Sequence, residues 1–291
     1  MHPRRYGHPV LKRFYGIGMA VCLVGWAGAA GAQSIRPGWG SVPYAGTGGT
    51  GVTFRLWAPG AASVAVAGSF NGWSSTANPL VQEAATSGVW SADVAAARTN
   101  HGYKYVVNGT LWRSDPRSRI IDAADNDNSV VAATNAFDWG ADSPSITNAR
   151  DLVIYEAHVG TFPGAGGTFA AFTNRLDYLA ELGATAVELM PINEFPSATS
   201  WGYNPTYPFA VEKNYGTPEA LKSLVRQAHR RGLVLLMDVV HNHWDGGSSL
   251  WQIDGTTPGP YFYAADPYAY TPWGPRPDYG NAKVRAYVED T

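Results

Sequence analysis

The sequence predicts two successive architectures: an all-β immunoglobulin-like sandwich, then the opening of a parallel α/β domain. Three observations carry this. From Val52 the chain runs in short alternating segments (GVTFRLWAP, ASVAVAG, GVWSADV, GYKYVVNG) separated by Gly, Asn and Pro, the pattern of an antiparallel β-sandwich. From Leu152 the order becomes β-α-β-α-β, which requires parallel strands and right-handed crossovers. Residues 233–240, LVLLMDVV, form an apolar run broken only by Asp238, the signature of a strand buried on both faces. The α/β part fits either a doubly wound sheet or a (β/α)8 barrel.

The N-terminal residues 1–32 stand outside the fold. Arg4, Arg5, Lys12 and Arg13 make a basic region, residues 15–30 are apolar and small, and Ala30, Gly31 and Ala32 match a cleavage site. This predicts a signal peptide, hence a secreted or periplasmic protein with no membrane attachment after cleavage. Cys22, the single cysteine, lies in that segment, so disulfide and thiol chemistry are excluded from the rest of the chain.

The sandwich is placed at residues 34–145, with Asn108 and Gly109 as a hairpin turn. Residues 135–150, rich in Gly, Pro, Ser and Asn, form the boundary. The α/β part then occupies residues 151–291. Its first strand lies at 152–155. Thr168 caps a helix with apolar face Phe169, Phe172, Leu176, Leu179 and Leu182, and Gly183 stops it. The second strand is at 186–190. Thr217 and Pro218 start the next helix, with face Leu221, Leu224, Val225 and Ala228, and Gly232 ends it. The third strand follows, ending on Asp238, His241, Asn242 and His243. Ligands bind at that edge of a parallel sheet, and a buried carboxylate there needs a partner.

Net charge is −2, with no basic stripe, so nucleic acid is excluded as a partner. Eleven Trp and sixteen Tyr supply flat rings of the kind sugars pack on. The glycines at 164, 166 and 167 lack the spacing of a dinucleotide loop. An H-x-H pair at 241 and 243 offers zinc as a separate reading.

The motifs carry a resemblance. DVVHNH resembles the first signature of the alpha-amylase family of glycoside hydrolases and transglycosidases. IYEAHVGTF, VELMPINEFP and SWGYNPTYPFAVEKNYG are similar to its first two strand–loop units, in the subgroup of branching enzymes, isoamylases and maltooligosyl-trehalose trehalohydrolases. The resemblance selects the barrel, so residues 151–291 would be about three strands of a (β/α)8 TIM barrel. It implies that Tyr203 stacks on the sugar, that Asp238 holds sugar hydroxyls and the catalytic arginine, and that His243 binds the 6-hydroxyl. Asn242 matches a calcium-ligand position of many classical α-amylases. Branching relatives often lack that ion, so no cofactor is expected and calcium is an optional one. FRLWAPGAASVAVAGSFNGW, YKYVVNGTLWRSDPRS and DNDNSVV resemble the glycogen-binding type of carbohydrate-binding module. That resemblance puts a glucan platform at Trp73, Lys104, Trp112 and Asn128. The other reading of these tryptophans is packing.

The implied activity is retaining hydrolysis or branching of α-glucan (starch, glycogen or maltooligosaccharide). Retention needs a nucleophile and an acid/base about 5 Å apart. The boxes that carry them in the family are absent here and are expected beyond Thr291. Residues 151–291 also fall short of the roughly 250 of a whole barrel. These residues alone are therefore expected to be inactive, and the alternative is a non-catalytic starch- or glycogen-binding protein.

Overall fold

The computed structural model describes residues 32–122, 127–133, 137–142, 148–265, 267 and 269–291. The signal peptide expected at 1–32 lies, but for Ala32, outside them. No helix among the described residues is long and apolar enough to cross a membrane.

The alternating N-terminal half forms two antiparallel sheets. Strands β1 (Gly40–Gly46), β2 (Gly49–Trp57), β4 (Val81–Gln82) and β5 (Val89–Val94) build one in the order β1-β2-β5-β4. Strands β3 (Val64–Gly68), β6 (Gly102–Val107), β8 (Ile121–Asp122) and β9 (Asn128–Val130) build the other in the order β3-β6-β9-β8. Strand β7 (Leu111–Arg113) pairs with β6. Period-two alternation sorts the side chains. Val64, Val66, Tyr103, Tyr105 and Val107 enter one core with Val52, Phe54, Leu56 and Trp90 of the facing sheet. Phe54 meets Tyr103 edge-on across the two sheets at 5.0 Å.

Strands β10 (Ile154–Ala157), β11 (Ala186–Leu189) and β14 (Val234–Met237) form a parallel sheet in that order. Between them lie helices α1 (Phe169–Thr173), α2 (Leu176–Glu181) and α3 (Pro218–His229). The expected caps are present: Thr168 Oγ1 accepts from Ala171 N at 3.1 Å, and Thr217 Oγ1 accepts from Ala220 N at 3.2 Å. The helix expected in one piece from 169 breaks at Asn174 and Arg175 into two. Phe169, Phe172, Leu176 and Leu179 are buried as expected, whereas Leu182, the C-cap of α2, is 57% exposed.

The third strand departs from expectation more. Residues 233–240 were predicted to be buried on both faces, yet Met237 is 43% and Val239 60% exposed. The cause is position: β14 is the edge of its sheet, and α3 packs on one of its faces only. Tyr155, Val187 and Leu235 share the helix-covered face. Glu156, Glu188 and Leu236 share the opposite one, and Asp238, two residues on, continues it.

Three short elements complete the chain: the pair β12 (Asn193–Glu194) and β13 (Tyr207–Val211), the hairpin β15 (Tyr270–Thr271) and β16 (Gly274–Pro275), and helix α4 (Ala282–Glu289). Trp244, Leu250, Ile253, Tyr261, Phe262, Val284 and Tyr287 enter the core of the antiparallel sheets, so that core is shared. Polar bonds fix the same seam. Gly60 N donates to Asp254 Oδ2 at 2.8 Å, Arg113 Nε to the Gln252 carbonyl at 2.9 Å, and the Tyr287 hydroxyl to the Pro116 carbonyl at 2.7 Å.

Candidate functional site

At the C-terminal end of the parallel sheet, a cavity of about 770 Å³ is lined by Ser200, Trp201, Tyr203, Asn204, Asn242, His243 and Trp273. Three aromatic rings and a few polar groups are the composition of a small-molecule site.

Each wall has a local cause. The segment after β14 is pinned by Trp244, which is fully buried beside Phe262 and Tyr287 and donates its main-chain N–H to the Pro275 carbonyl at 3.0 Å. That anchor sets His243 one residue earlier. His243 is 7% exposed, with Nδ1 3.2 Å from Asn242 Nδ2. Its Nε2 is buried and has no hydrogen-bond partner among the described residues.

Tyr203 comes from the loop before β13. Gly202 there has φ +90, and a Cβ would lie 2.2 Å from the Pro191 carbonyl, so only glycine allows the loop this close. Ser200 anchors the same loop: its carbonyl meets His158 Nε2 at 2.9 Å and its hydroxyl accepts from Gly202 N at 3.1 Å. The Tyr203 ring is 38% exposed. Its phenol is pushed up to about 12, first by desolvation, then by its hydrogen bond to Asp238 and the charges of Asp238, Glu156 and Glu188. Asp238 is thus half-buried with a phenol as neighbour, rather than the fully buried carboxylate the sequence suggested.

His241 does not join this constellation. It lies outside the cavity lining, its Nε2 is 3.3 Å from Thr291 Oγ1, and burial lowers its pKa. Among the described residues no group of three or more His, Cys, Asp or Glu is arranged to hold a metal ion. His241 and His243 are therefore not joined by a third such group among those residues. Glu194, an acid near the strand ends, is structural. It is 1% exposed and 2.8 Å from Lys213 Nζ, which also reaches Asp127 at 3.1 Å.

The four residues read as a glucan platform come together on the outer face of the second antiparallel sheet. Lys104 of β6 alternates outward, Val106 is paired with Trp112 of β7, and Asn128 begins β9 beside Gly102. Trp73 packs over Ala65, Ala67 and Val106. Trp112 is 40% exposed and Asn128 only 6%. Ser200, Trp201, Asn204 and Trp273 of the cavity were missed. The SWGYNP segment held the first three, but only Tyr203 was singled out there.

Comparison with known proteins finds two family matches along the chain. Residues 39–123 match carbohydrate-binding module 48, the isoamylase N-terminal domain, and residues 119–257 match the alpha-amylase catalytic domain. The chain is a member of the alpha-amylase family, combining that module with part of the catalytic domain. Among curated proteins it is 35% identical over 242 residues to a malto-oligosyltrehalose trehalohydrolase of Saccharolobus solfataricus, covering 82% of this chain and 40% of the relative. It is 33% identical over 215 residues to a 1,4-alpha-glucan branching enzyme of Corynebacterium jeikeium, covering 70% and 30%. Among solved structures, pullulanase from Bacillus acidopullulyticus superposes with a TM-score of 0.70 at 27% identity, covering 87% of this chain and 36% of the pullulanase. The chain thus spans well under half the length of each.

Proposed function

We propose that the chain is part of an α-glucan-processing enzyme that acts with retention, as a hydrolase or a branching transferase. In this reading residues 34–145 are an immunoglobulin-like glucan-binding sandwich and residues 151–291 the first strands of a (β/α)8 barrel. The observation that carries it is the cavity. Its rings match the flat C–H faces of glucose, and Ser200, Asn204 and Asn242 of the same lining offer polar groups to sugar hydroxyls. Tyr203 would stack on the bound sugar, with Asp238, hydrogen-bonded to the phenol from outside the cavity lining, orienting it.

Cleavage with retention requires two carboxyl groups about 5 Å apart across the scissile bond. No Asp or Glu lines the cavity among the described residues. We therefore assign substrate positioning to these residues and expect no turnover from them alone. Residues 1–32 are assigned to export, placing the protein outside the cytoplasm.

A second reading, a non-catalytic glucan-binding protein, is favoured by the exposed Trp112 beside Trp73. One experiment separates the two. The purified 291-residue chain is titrated with maltoheptaose by calorimetry and incubated with amylopectin while reducing ends and branch content are followed. Binding without turnover is expected; with the sandwich silenced by Trp73→Ala and Trp112→Ala, binding that persists and is lost on His243→Ala places glucan in the cavity, whereas binding lost on silencing alone favours the second reading. Absence of binding overturns the glucan reading, and sustained turnover overturns the assignment to positioning alone.

A further inference from the structure

His158 is not among the residues lining the cavity, yet it holds one of the cavity's walls. It follows β10 between Ala157 and Val159, both buried, so its main chain starts from the core. Its imidazole meets three partners. Nδ1 is 3.0 Å from Thr161 Oγ1, and Nε2 is 2.8 Å from the Tyr215 hydroxyl and 2.9 Å from the Ser200 carbonyl. A carbonyl oxygen only accepts, so in the bond to Ser200 the imidazole donates from Nε2.

Tyr215 backs the ring. It is buried and packs edge-on against Phe169 and Phe195, each at 5.9 Å, so the core holds its hydroxyl in place. Desolvation pushes this phenol up to about 12, so it stands beside the imidazole as a neutral hydroxyl. Gly160 leaves the pair room. A Cβ there would meet His158 Cε1 at 2.9 Å and the Tyr215 hydroxyl at 3.1 Å.

The other end of the bond is a loop with little else to hold it. Among the described residues, no main-chain group of 196–204 bonds to a main-chain group elsewhere. Its own bonds are internal. The Ser197 hydroxyl donates to the Thr199 carbonyl at 2.7 Å, Gly202 N to the Ser200 hydroxyl at 3.1 Å, and that hydroxyl to Asn204 Oδ1 at 3.2 Å. Such bonds fix the loop's shape and leave its place open. Among the described residues the bond from His158 is the one that joins its main chain to another segment. This loop delivers Ser200, Trp201, Tyr203 and Asn204 to the cavity.

We propose that His158 is a positioning residue of the cavity: by holding the Ser200 carbonyl it sets the 200–204 loop, and with it Tyr203 against Asp238, so that sugar affinity depends on a residue that touches no sugar. A loop held before the ligand arrives does not have to be ordered at binding. The part of the proposal that concerns sugar rests on the glucan reading of the same cavity. The part that concerns Tyr203 does not.

The test uses the full chain carrying Trp73→Ala and Trp112→Ala, so that maltoheptaose reports on the cavity alone. Two variants are added to this background. His158→Phe keeps a ring against Tyr215 and removes both nitrogens. His158→Gln returns an amide N–H donor toward the Ser200 carbonyl. The first readout needs no sugar: it is the absorbance titration of each protein minus that of its own Tyr203→Phe form. The Tyr203 midpoint should stand at about 12 in the background. It should fall toward an ordinary phenol value of about 10 in His158→Phe and return in His158→Gln. By calorimetry, His158→Phe should weaken maltoheptaose about tenfold, the worth of one hydrogen bond, and His158→Gln should recover most of the loss. A Tyr203 midpoint that stays at its background value in His158→Phe overturns the proposal, even if the unfolding temperature falls, since His158 would then serve the fold alone. A midpoint that falls while maltoheptaose binds unchanged overturns the dependence of sugar affinity on His158. If the background binds no maltoheptaose, yet the midpoint falls in His158→Phe and returns in His158→Gln, the positioning of Tyr203 stands and the glucan reading fails.

Discussion

The indole rings of Trp73 and Trp112 lie 6.4 Å apart, inclined at 44° to each other, on the outer face of the β3-β6-β9-β8 sheet. Trp73 rests on Ala65, Ala67 and Val106, small side chains that leave the two rings standing above the sheet. In the proposed glucan-binding role the rings act by their area, so their loss should affect affinity before stability. In amylopectin gels Trp112→Ala should lose most of its retardation, with binding weakened about tenfold and the unfolding midpoint nearly unchanged. Trp73→Ala should lose binding and some stability as well, because it also uncovers three buried residues. Equal retardation of parent and Trp112→Ala would assign both rings to packing.

Lys213 links the two halves of the structure, reaching buried Glu194 at 2.8 Å and exposed Asp127 at 3.1 Å. The two partners' shifts pull differently: Lys213 is raised by its two carboxylates, whereas Glu194 is also raised, because desolvation outweighs the lysine. Burial decides for Glu194, since it is 1% exposed. A carboxyl raised in the folded state contributes its full stability below its unfolded pKa, and that contribution is lost as pH rises through the folded value. Removing the cation by Lys213→Met should enlarge that loss. The variant should be close to the parent at pH 4 and destabilised by roughly 2 kcal/mol at pH 8, a discounted figure because the lysine is partly exposed. Lys213→Met combined with Glu194→Gln should recover most of it. Urea unfolding at the two pH values reads this directly, and a pH-independent effect would assign the loss to the lysine's packing instead.

Those two relationships differ in how far the sequence announces them. Which side chains share a face of a strand was legible because period-two alternation decides it and a β-strand enforces that whatever its neighbours do, whereas Trp73, Lys104, Trp112 and Asn128 were singled out by the resemblance alone. The caps at Thr168 and Thr217 were legible for the same local reason. What escaped is long-range. The apolar run at 233–240 has the composition of a central strand, but β14 has a pairing partner on one side only, and composition does not record that. Leu182 keeps helical spacing with Leu179, yet α2 ends at Glu181 and its side chain leaves the apolar face. His241 and His243 drew attention as a pair, whereas Trp244 beside them is the residue that organises the loop. Trp273 enters the cavity through a contact thirty residues from His243 in sequence, which no periodicity carries.

Tyr203 gives a spectroscopic reading of the cavity. Its phenol stands at about 12, through desolvation first and Asp238 next. The raised value stabilises the fold fully below an ordinary phenol pKa near 10, and that contribution is lost as pH rises through about 12. Other tyrosines also titrate high, so the useful signal is the absorbance titration of the parent minus that of Tyr203→Phe. Its midpoint should fall near 12 in the parent background and move down when Asp238 is replaced by Asn. A midpoint untouched by Asp238→Asn would separate the two side chains and remove Asp238 from the orienting role.

The position of the hairpin depends on one glycine. Gly274 has φ +155, and a Cβ there would meet the Trp244 carbonyl at 2.3 Å. That carbonyl belongs to a fully buried anchor and does not move aside as a flexible side-chain tip would. Gly274→Ala must therefore displace the β15–β16 hairpin, strain its backbone, and carry Trp273 away from His243. The expected cost is about 1–3 kcal/mol of stability. Gly246 supplies the control, since a Cβ there meets only Pro275 Cδ at 3.8 Å, an ordinary contact. Gly246→Ala should stay within about 0.5 kcal/mol of the parent. Both variants also serve as a test of where the glucan sits. If the cavity holds it, Gly274→Ala should weaken maltoheptaose together with stability while Gly246→Ala leaves both alone. A Gly274→Ala protein that unfolds more easily yet binds maltoheptaose as the parent does would put the sugar elsewhere than beneath this hairpin.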